Sequence, residues 1–226
     1  MYDRKYEGRE LQFDASGGLI HASLILQDKQ TNSYWALMKG ESIAGDFKGT
    51  RLRELPVSQK MMWRDWRILH PETLVLSVEG VEYIEQNYYA QYLNSGEGFR
   101  GVTAKDGRLA TKTPVYVFRL DGEAYAVPHR KIRKGASFRA ADEVVFLYRP
   151  NKTKVVHSTV AFILSEGRYR QGEQGWMEES TGALFDPGSG SFQGAASSRR
   201  LSGFDTFWYN WSLNNPDTRL LKKKLK

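Results

Sequence analysis

The sequence predicts a β-rich α+β fold made of two pseudo-equivalent repeats of short strands, each ending in a short helix that carries two tryptophans. Three observations predict it. Apolar runs alternate with polar residues and are broken by glycine, 21 of them in 226 residues, the pattern of short strands and turns. The motif W-x-x-W-x-x-x-[HN]-P-[ED]-T occurs twice. Other blocks recur in the same order in both halves, the mark of a duplicated unit.

Trp63, Trp66, Pro71 and Thr73 return 145 positions later as Trp208, Trp211, Pro216 and Thr218, with His70 opposite Asn215 and Glu72 opposite Asp217. The turn at 28–34 aligns with 186–192 at an offset of 158, and Glu7-Gly8-Arg9 with Glu166-Gly167-Arg168 at 159. The second copy is then about 13 residues shorter, the difference lying at 40–52 of the first. The second copy has apolar stretches at 113–128 and 142–150 that the first lacks, so the chain is expected to enter its first repeat partway through. The domain reading is a first repeat over 1–80, N-terminally incomplete, a packed linker over 81–112, a second repeat over 113–221, and a basic tail over 222–226.

Leu11 and Phe13 alternate with polar neighbours and predict a turn and strand. Residues 18–28 predict one longer strand, with His21 as a core or rim residue. A turn over 28–33 leads into a strand over 33–38. From 58 to 69 the period becomes helical, with Met62, Trp66 and Leu69 on one face. Ser58 can cap this helix, Pro71 stops it, and 73–77 returns to strand. In the second copy the helix is expected over 204–213, with Asp205 or Ser202 near its start. The linker begins with an aromatic run, 83–93, expected as a short helix or packed loop, and continues as an exposed stretch rich in Gly and Lys.

Composition excludes several classes. With no cysteine there is no disulfide, thiolate or Cys-based metal chemistry in this chain. No apolar run reaches the roughly 20 residues of a membrane helix, and MYDRKYEGRE is no signal peptide. The net charge is +7, and Lys222, Lys223, Lys224 and Lys226 supply four of it. That tail reads as solvated. Lys131, Arg133, Lys134 and Arg139 form a second loose cluster, with no nucleic-acid motif around it.

The run at 28–77 resembles the prokaryotic family called domain of unknown function 3179. Members carry D-R-x-T-x-S-x-W, then G-x-A-I-x-G-x-x-x-G-x-x-L, then W-x-x-W-x-x-x-H-P-D-T. Here these are Asp28, Thr31, Ser33 and Trp35; Gly40, Ile43, Gly45, Gly49 and Leu52; and Trp63, Trp66, His70, Pro71 and Thr73. Arg108, Leu109, Lys112, Gly122, Glu123, Ala124 and Pro128 match the family's second-half entry, with Val127 for the usual Tyr. Many members have a Y-C-P-x-C turn just before the position where this chain starts. The second-copy equivalent, FLYRPNKT, has no Cys. The resemblance implies no activity, cofactor or metal. Its members often look exported, and the compartment of this chain stays open.

Two functions remain. One is a non-catalytic binding or scaffold domain with an aromatic-rich surface, taking a protein or glycan partner through Trp35, Tyr88, Tyr89 and Tyr92. The other is a hydrolase-type enzyme with its site at the junction of the repeats. There His70, at a helix end where its cation suits the dipole, would work with Asp65 and Glu72. Asn215 opposite His70 favours a structural helix stop. His129 is expected exposed, and His157 lies in no G-x-S-x-G elbow. Gly-rich 40–49 fits no phosphate-binding loop, and Asp28 and Asp186 read as turn residues.

Overall fold

A computed structural model of the chain describes residues 2–56, 63–77, 89–150 and 158–225; the side chains of residues 64, 65 and 69 are outside the description. The chain is β-rich, and its strands form several small sheets, antiparallel but for one parallel pair.

The first half opens with a two-strand ladder, β1 (Lys5–Tyr6) and β2 (Arg9–Glu10). A four-strand meander follows: β3 (Phe13–Ile20), β4 (Ser23–Asp28), β5 (Tyr34–Ala36) and β6 (Glu41–Ala44). The single strand expected over 18–28 is two strands joined by a tight turn. His21 and Ala22 both take positive φ, 48° and 61°, as a type I′ hairpin requires. The turn lacks the Asn-Gly or Asp-Gly signal that usually marks it, which is why the sequence reads as continuous strand. His21 is therefore an exposed turn residue and no part of the core. Helix α1 (Trp63–Leu69) follows; the expected start at Ser58, and Met62, lie outside the described residues. Helix α2 (Ala90–Asn94) comes from the linker.

The second half is layered. Strands β7 (Pro114–Leu120) and β8 (Glu123–Pro128) form a hairpin, and β9 (Ala136–Ala140), β10 (Glu143–Tyr148) and β11 (Val160–Leu164) form a second sheet. A meander of β12 (Tyr169–Gly172), β13 (Gly175–Glu178), β14 (Leu184–Asp186) and β15 (Ser191–Gln193) covers it. Strand β16 (Arg199–Arg200) returns to β11. Strand β17 (Gly203–Phe207) pairs with β7, helix α3 (Trp208–Asn214) follows, and β18 (Arg219–Leu220) lies parallel to β8.

Three cores separate these layers, and the period of two along each strand builds them. Tyr116, Phe118, Tyr125 and Val127 face Phe138, Val145, Leu147 and Ile163 between the two sheets. Val115, Val117, Ala124 and Ala126 turn the other way, under Trp208 and Trp211 of α3. Val144, Phe146, Phe162 and Leu164 face Tyr169 and Phe185 of the meander. Met38, from the first half, packs against the cluster under α3 and joins the halves. At Gly203 a Cβ would stand 2.5 Å from the Val117 carbonyl oxygen and meet the Tyr116 hydroxyl, so only glycine lets β17 approach β7 here.

The helix expected over 204–213 begins at Trp208; 204–207 belongs to β17. Its four residues pair with β7 before the chain turns into helix, so sheet pairing overrides the helical pattern there. Asp205 consequently sits in a strand, and α3 has Phe207 at its N-cap with no side-chain cap.

The two meanders share one hydrogen-bond pattern at an offset of 150. Asp28 N–H donates to Ser33 C=O at 3.0 Å, and Glu178 N–H to Ala183 C=O at 2.9 Å. Asn32 N–H donates to Asp28 C=O, and Gly182 N–H to Glu178 C=O. Gly40 N–H donates to Ala36 C=O, and Gly190 N–H to Asp186 C=O. The structural counterpart of Asp28 is thus Glu178, and the alignment of Asp28 with Asp186 is corrected. The alignment at 158 followed the Asp and Ser identities of a second turn, which sits one strand further along.

Candidate functional site

The two tryptophan motifs fold alike locally and are buried differently. His70 N–H donates to Trp66 C=O at 2.8 Å, and Asn215 N–H to Trp211 C=O at 2.9 Å. Trp208 and Trp211 are 0% and 1% exposed, whereas Trp63 is 47% exposed. Trp66 is half-buried, its ring 4.0 Å from that of His70, and its Nε1 donates to Thr73 Oγ1 at 2.8 Å. His70 Nδ1 lies 3.8 Å from Glu72 Oε1 at an open helix end, where both side chains are well exposed. Asp65's side chain is outside the described residues, so of the expected acid–base set the structure brings together His70 and Glu72.

The aromatic residues expected to bind are dispersed. Trp35 is 2% exposed and its Nε1 donates to Asp28 Oδ2 at 2.9 Å, so it offers no surface platform. Tyr92 shares a hydrogen bond of 2.9 Å with the Tyr209 hydroxyl, and the Lys112 ammonium lies 3.8 Å from its ring centre. Tyr89 is exposed. Tyr88 is outside the described residues, as is His157.

A cleft of about 380 Å³ lies where the halves meet, within the roughly 300–1,000 Å³ of ligand pockets. The first half supplies Lys39, from the turn after β5, and Arg51, beyond β6. The second supplies Arg119 at the end of β7, Glu123 at the start of β8, and Asn215 and Asp217 beyond α3. Asp121 and Gly122, at φ 49° and 79°, make the tight turn that pairs Leu120 with Glu123 and Arg119 with Ala124. His70 does not line this cleft, but its aligned partner Asn215 does.

Two of the residues lining the cleft, Arg119 and Asn214, hold a buried polar atom without a hydrogen-bond partner among the described residues. The Arg119 guanidinium donates to Asn215 Oδ1 and stacks 5.5 Å from the Trp211 ring centre. Burial, and then the Arg51 charge, pull Arg119 below the usual arginine range; Glu54, Tyr2 and Glu41 offset this only in part. Arg51 pairs with Glu41 and donates to Lys39 C=O at 3.1 Å. Buried Arg119 Nε has no hydrogen-bond partner among the described residues, and neither do Asn210 Oδ1, Trp211 Nε1, Ser212 Oγ and Asn214 Oδ1. Native proteins leave few such atoms; four lie on α3 and the fifth is on Arg119, and of these Arg119 and Asn214 belong to the cleft wall.

A second polar cluster is closed. Asp205 Oδ1 lies 2.7 Å from His129 Nε2, off the line of a hydrogen bond, and accepts from Arg149 Nη1 at 2.9 Å. Thr159 donates to the same carboxylate through N–H at 2.6 Å and Oγ1 at 2.5 Å. His129, expected exposed, is 9% exposed. The charged run PHRKIRK hid it: Ile132 and His129 turn inward while Arg130 and Arg133 turn out. Sequence reasoning missed the whole cluster, because its members lie as much as 76 positions apart with no local motif.

The family model described as "Protein of unknown function (DUF3179)" matches residues 1–218. The chain belongs to this family. No curated protein and no solved structure matches it. The family match covers both tryptophan motifs and the cleft between the halves. It carries no activity with it.

Proposed function

We propose that this family member is a binding domain whose ligand site is the cleft between the halves, and that the ligand is a small polar molecule carrying a carboxylate or phosphate group. The observation that carries this reading is Arg119: a guanidinium whose Nε is buried and has no partner among the described residues, beside Arg51 and Lys39 at the wall of a polar cleft. An anion there would satisfy Nε and relieve the repulsion between the two guanidiniums. Arg119 presents a planar fork suited to such a group, and Asn215 and Asp217 offer further partners for hydroxyls. A polar, acidic sugar satisfies both needs and agrees with a glycan partner.

The two halves are best understood as copies of one unit, supported by the meander match at 150 and the helix match at 145. On that reading the cleft forms where the copies meet, the place expected for the alternative, hydrolase-type site.

Calorimetric titration with inorganic phosphate, citrate and glucuronate tests the proposal. At least one should bind the wild-type chain, and Arg51→Gln or Arg119→Gln should weaken that binding tenfold or more while the fold is retained by circular dichroism. Equal affinity in the variants would overturn it.

The alternative, a hydrolase using His70, Asp65 and Glu72, is favoured by one observation, the 3.8 Å approach of His70 to Glu72. A hydrolytic activity removed by His70→Ala would establish it.

A further inference from the structure

We propose that the C-terminal tail and the β8–β9 connection together form a cationic face that docks on an anionic lipid surface. The tail is fixed to the body. Leu221 N–H donates to Ala126 C=O at 2.9 Å, and Leu225 N–H to Ser137 C=O at 2.8 Å. Leu221 also packs against the central core. The tail expected to be solvated keeps its lysine side chains exposed, while its backbone is anchored at both ends.

These two bonds close a ring. Residues 222–224 bridge the two donors, and residues 127–136 bridge the two acceptors. The tail arm spans four residue steps, at most about 14 Å. The two basic clusters, about 90 positions apart in sequence, therefore lie on the two arms of one small ring. Lys222, Lys223 and Lys224 stand on one arm; Arg130, Arg133 and Lys134 are exposed on the other, with Lys131 half-exposed. One acid approaches: Lys222 faces Asp106, which Arg108 already pairs at 2.6 Å.

The chemistry favours a lipid surface over a nucleic acid. Neither arm carries an exposed aromatic ring on which a base could stack. Leu225, 37% exposed, instead adds an apolar contact beside the lysines. Long lysine stems suit a headgroup layer. Polybasic segments near anionic headgroups gain attraction with each added charge, and salt screens it.

Vesicle flotation tests this with the full chain, using phosphatidylcholine vesicles with and without 30% phosphatidylserine. The chain should float with the anionic vesicles at low salt, stay behind with the neutral ones, and be released by high salt. The triple variants K222Q/K223Q/K224Q and R130Q/R133Q/K134Q should each bind about a hundredfold more weakly, at roughly fivefold per charge. Unchanged melting temperatures would show both variants folded. The proposal is overturned if the chain binds neutral vesicles equally, or if the second variant binds like wild type, because the tail would then act alone. It is also overturned if a 20-base-pair duplex binds more tightly than the vesicles do.

Discussion

Asp28 and Glu178 stand 150 positions apart and hold the same place in two meanders. Each ends a strand with its carboxylate buried, at 0% exposure. Asp28 accepts from Thr31 N–H at 2.6 Å, Thr31 Oγ1 at 2.9 Å and Trp35 Nε1 at 2.9 Å. Glu178 accepts from Thr181 Oγ1 at 2.5 Å and from the N–H groups of Ser197 and Ser198, each at 2.8 Å. The threonine three residues on is common to both. The remaining donors differ: the longer glutamate reaches across to the loop leading into β16, whereas Asp28 bonds the indole inside its own meander.

Asp28→Asn and Glu178→Gln should each destabilise the chain, by about 1–3 kcal/mol, since each leaves buried donors facing an amide that can accept less well. Urea denaturation at pH 7 measures this. For both carboxyls burial alone would raise the pKa, but the hydrogen bonds outweigh it and the net shift is downward. A folded value below the unfolded one contributes stability that is present above the unfolded pKa, about 3.9 for Asp and 4.3 for Glu. It is lost as pH falls through the folded value. The variants should therefore show a shallower loss of stability between pH 5 and pH 3, roughly the acid window expected for such groups. An unchanged acid limb would remove these two carboxylates as its cause.

Glu54 should behave in the opposite sense. Burial raises its pKa, and Arg119 and a hydrogen bond from Ser202 oppose this only in part. A folded value above the unfolded one contributes stability below the unfolded pKa, and this is lost as pH rises through the folded value. Glu54→Gln, a neutral group of the same shape, should raise the melting temperature at pH 7 and change it little at pH 4. A loss of stability at pH 7 would mean that the Arg119 attraction dominates.

The strands of the second half were legible because they are buried on both faces and read as apolar runs: 114–120 and 143–148 hold almost no polar residue. The tryptophan helices were legible from their repeated motif and the proline that ends each. The hairpin at His21 was not, since nothing in His-Ala announces positive φ. Of the cleft only the junction of the halves was legible, and that as the place of a hydrolase-type site. Its residues were not, because Lys39, Arg51 and Arg119 look like solvated surface until β7 and the first meander are brought together. His129 and Asp205 failed for the same reason: burial of a charged pair depends on a partner far away in sequence.

Asp205 sits in a buried ion pair in the second half. Its side chain is 2% exposed, and that of Arg149 is 3% exposed. Asp205→Ala should cost about 3–5 kcal/mol, the range for breaking a buried ion pair. Asp205→Asn, which keeps the shape and one acceptor for Thr159, should cost less. Thermal unfolding of both variants checks the order. Equal stability of Asp205→Ala and wild type would show that the carboxylate contributes nothing net.

The paired tryptophans give the sharpest contrast between the two halves. Trp211 is 1% exposed, with the Phe204 ring centre 5.8 Å away and the Arg119 guanidinium 5.5 Å from its own ring centre. Trp211→Ala should cost about 3–5 kcal/mol, the transfer term plus a cavity beneath α3. Trp66, its partner in sequence, is half-buried and touches its own helix and turn through His70 and Thr73. Trp66→Ala should cost no more than about 1 kcal/mol, as a surface change away from the cores. Chemical denaturation of the two variants under one set of conditions measures the difference. Equal losses would place Trp66 in a core as complete as that of Trp211; the expected inequality assigns the stabilising role of this motif to its second copy, where a sheet lies beneath the helix.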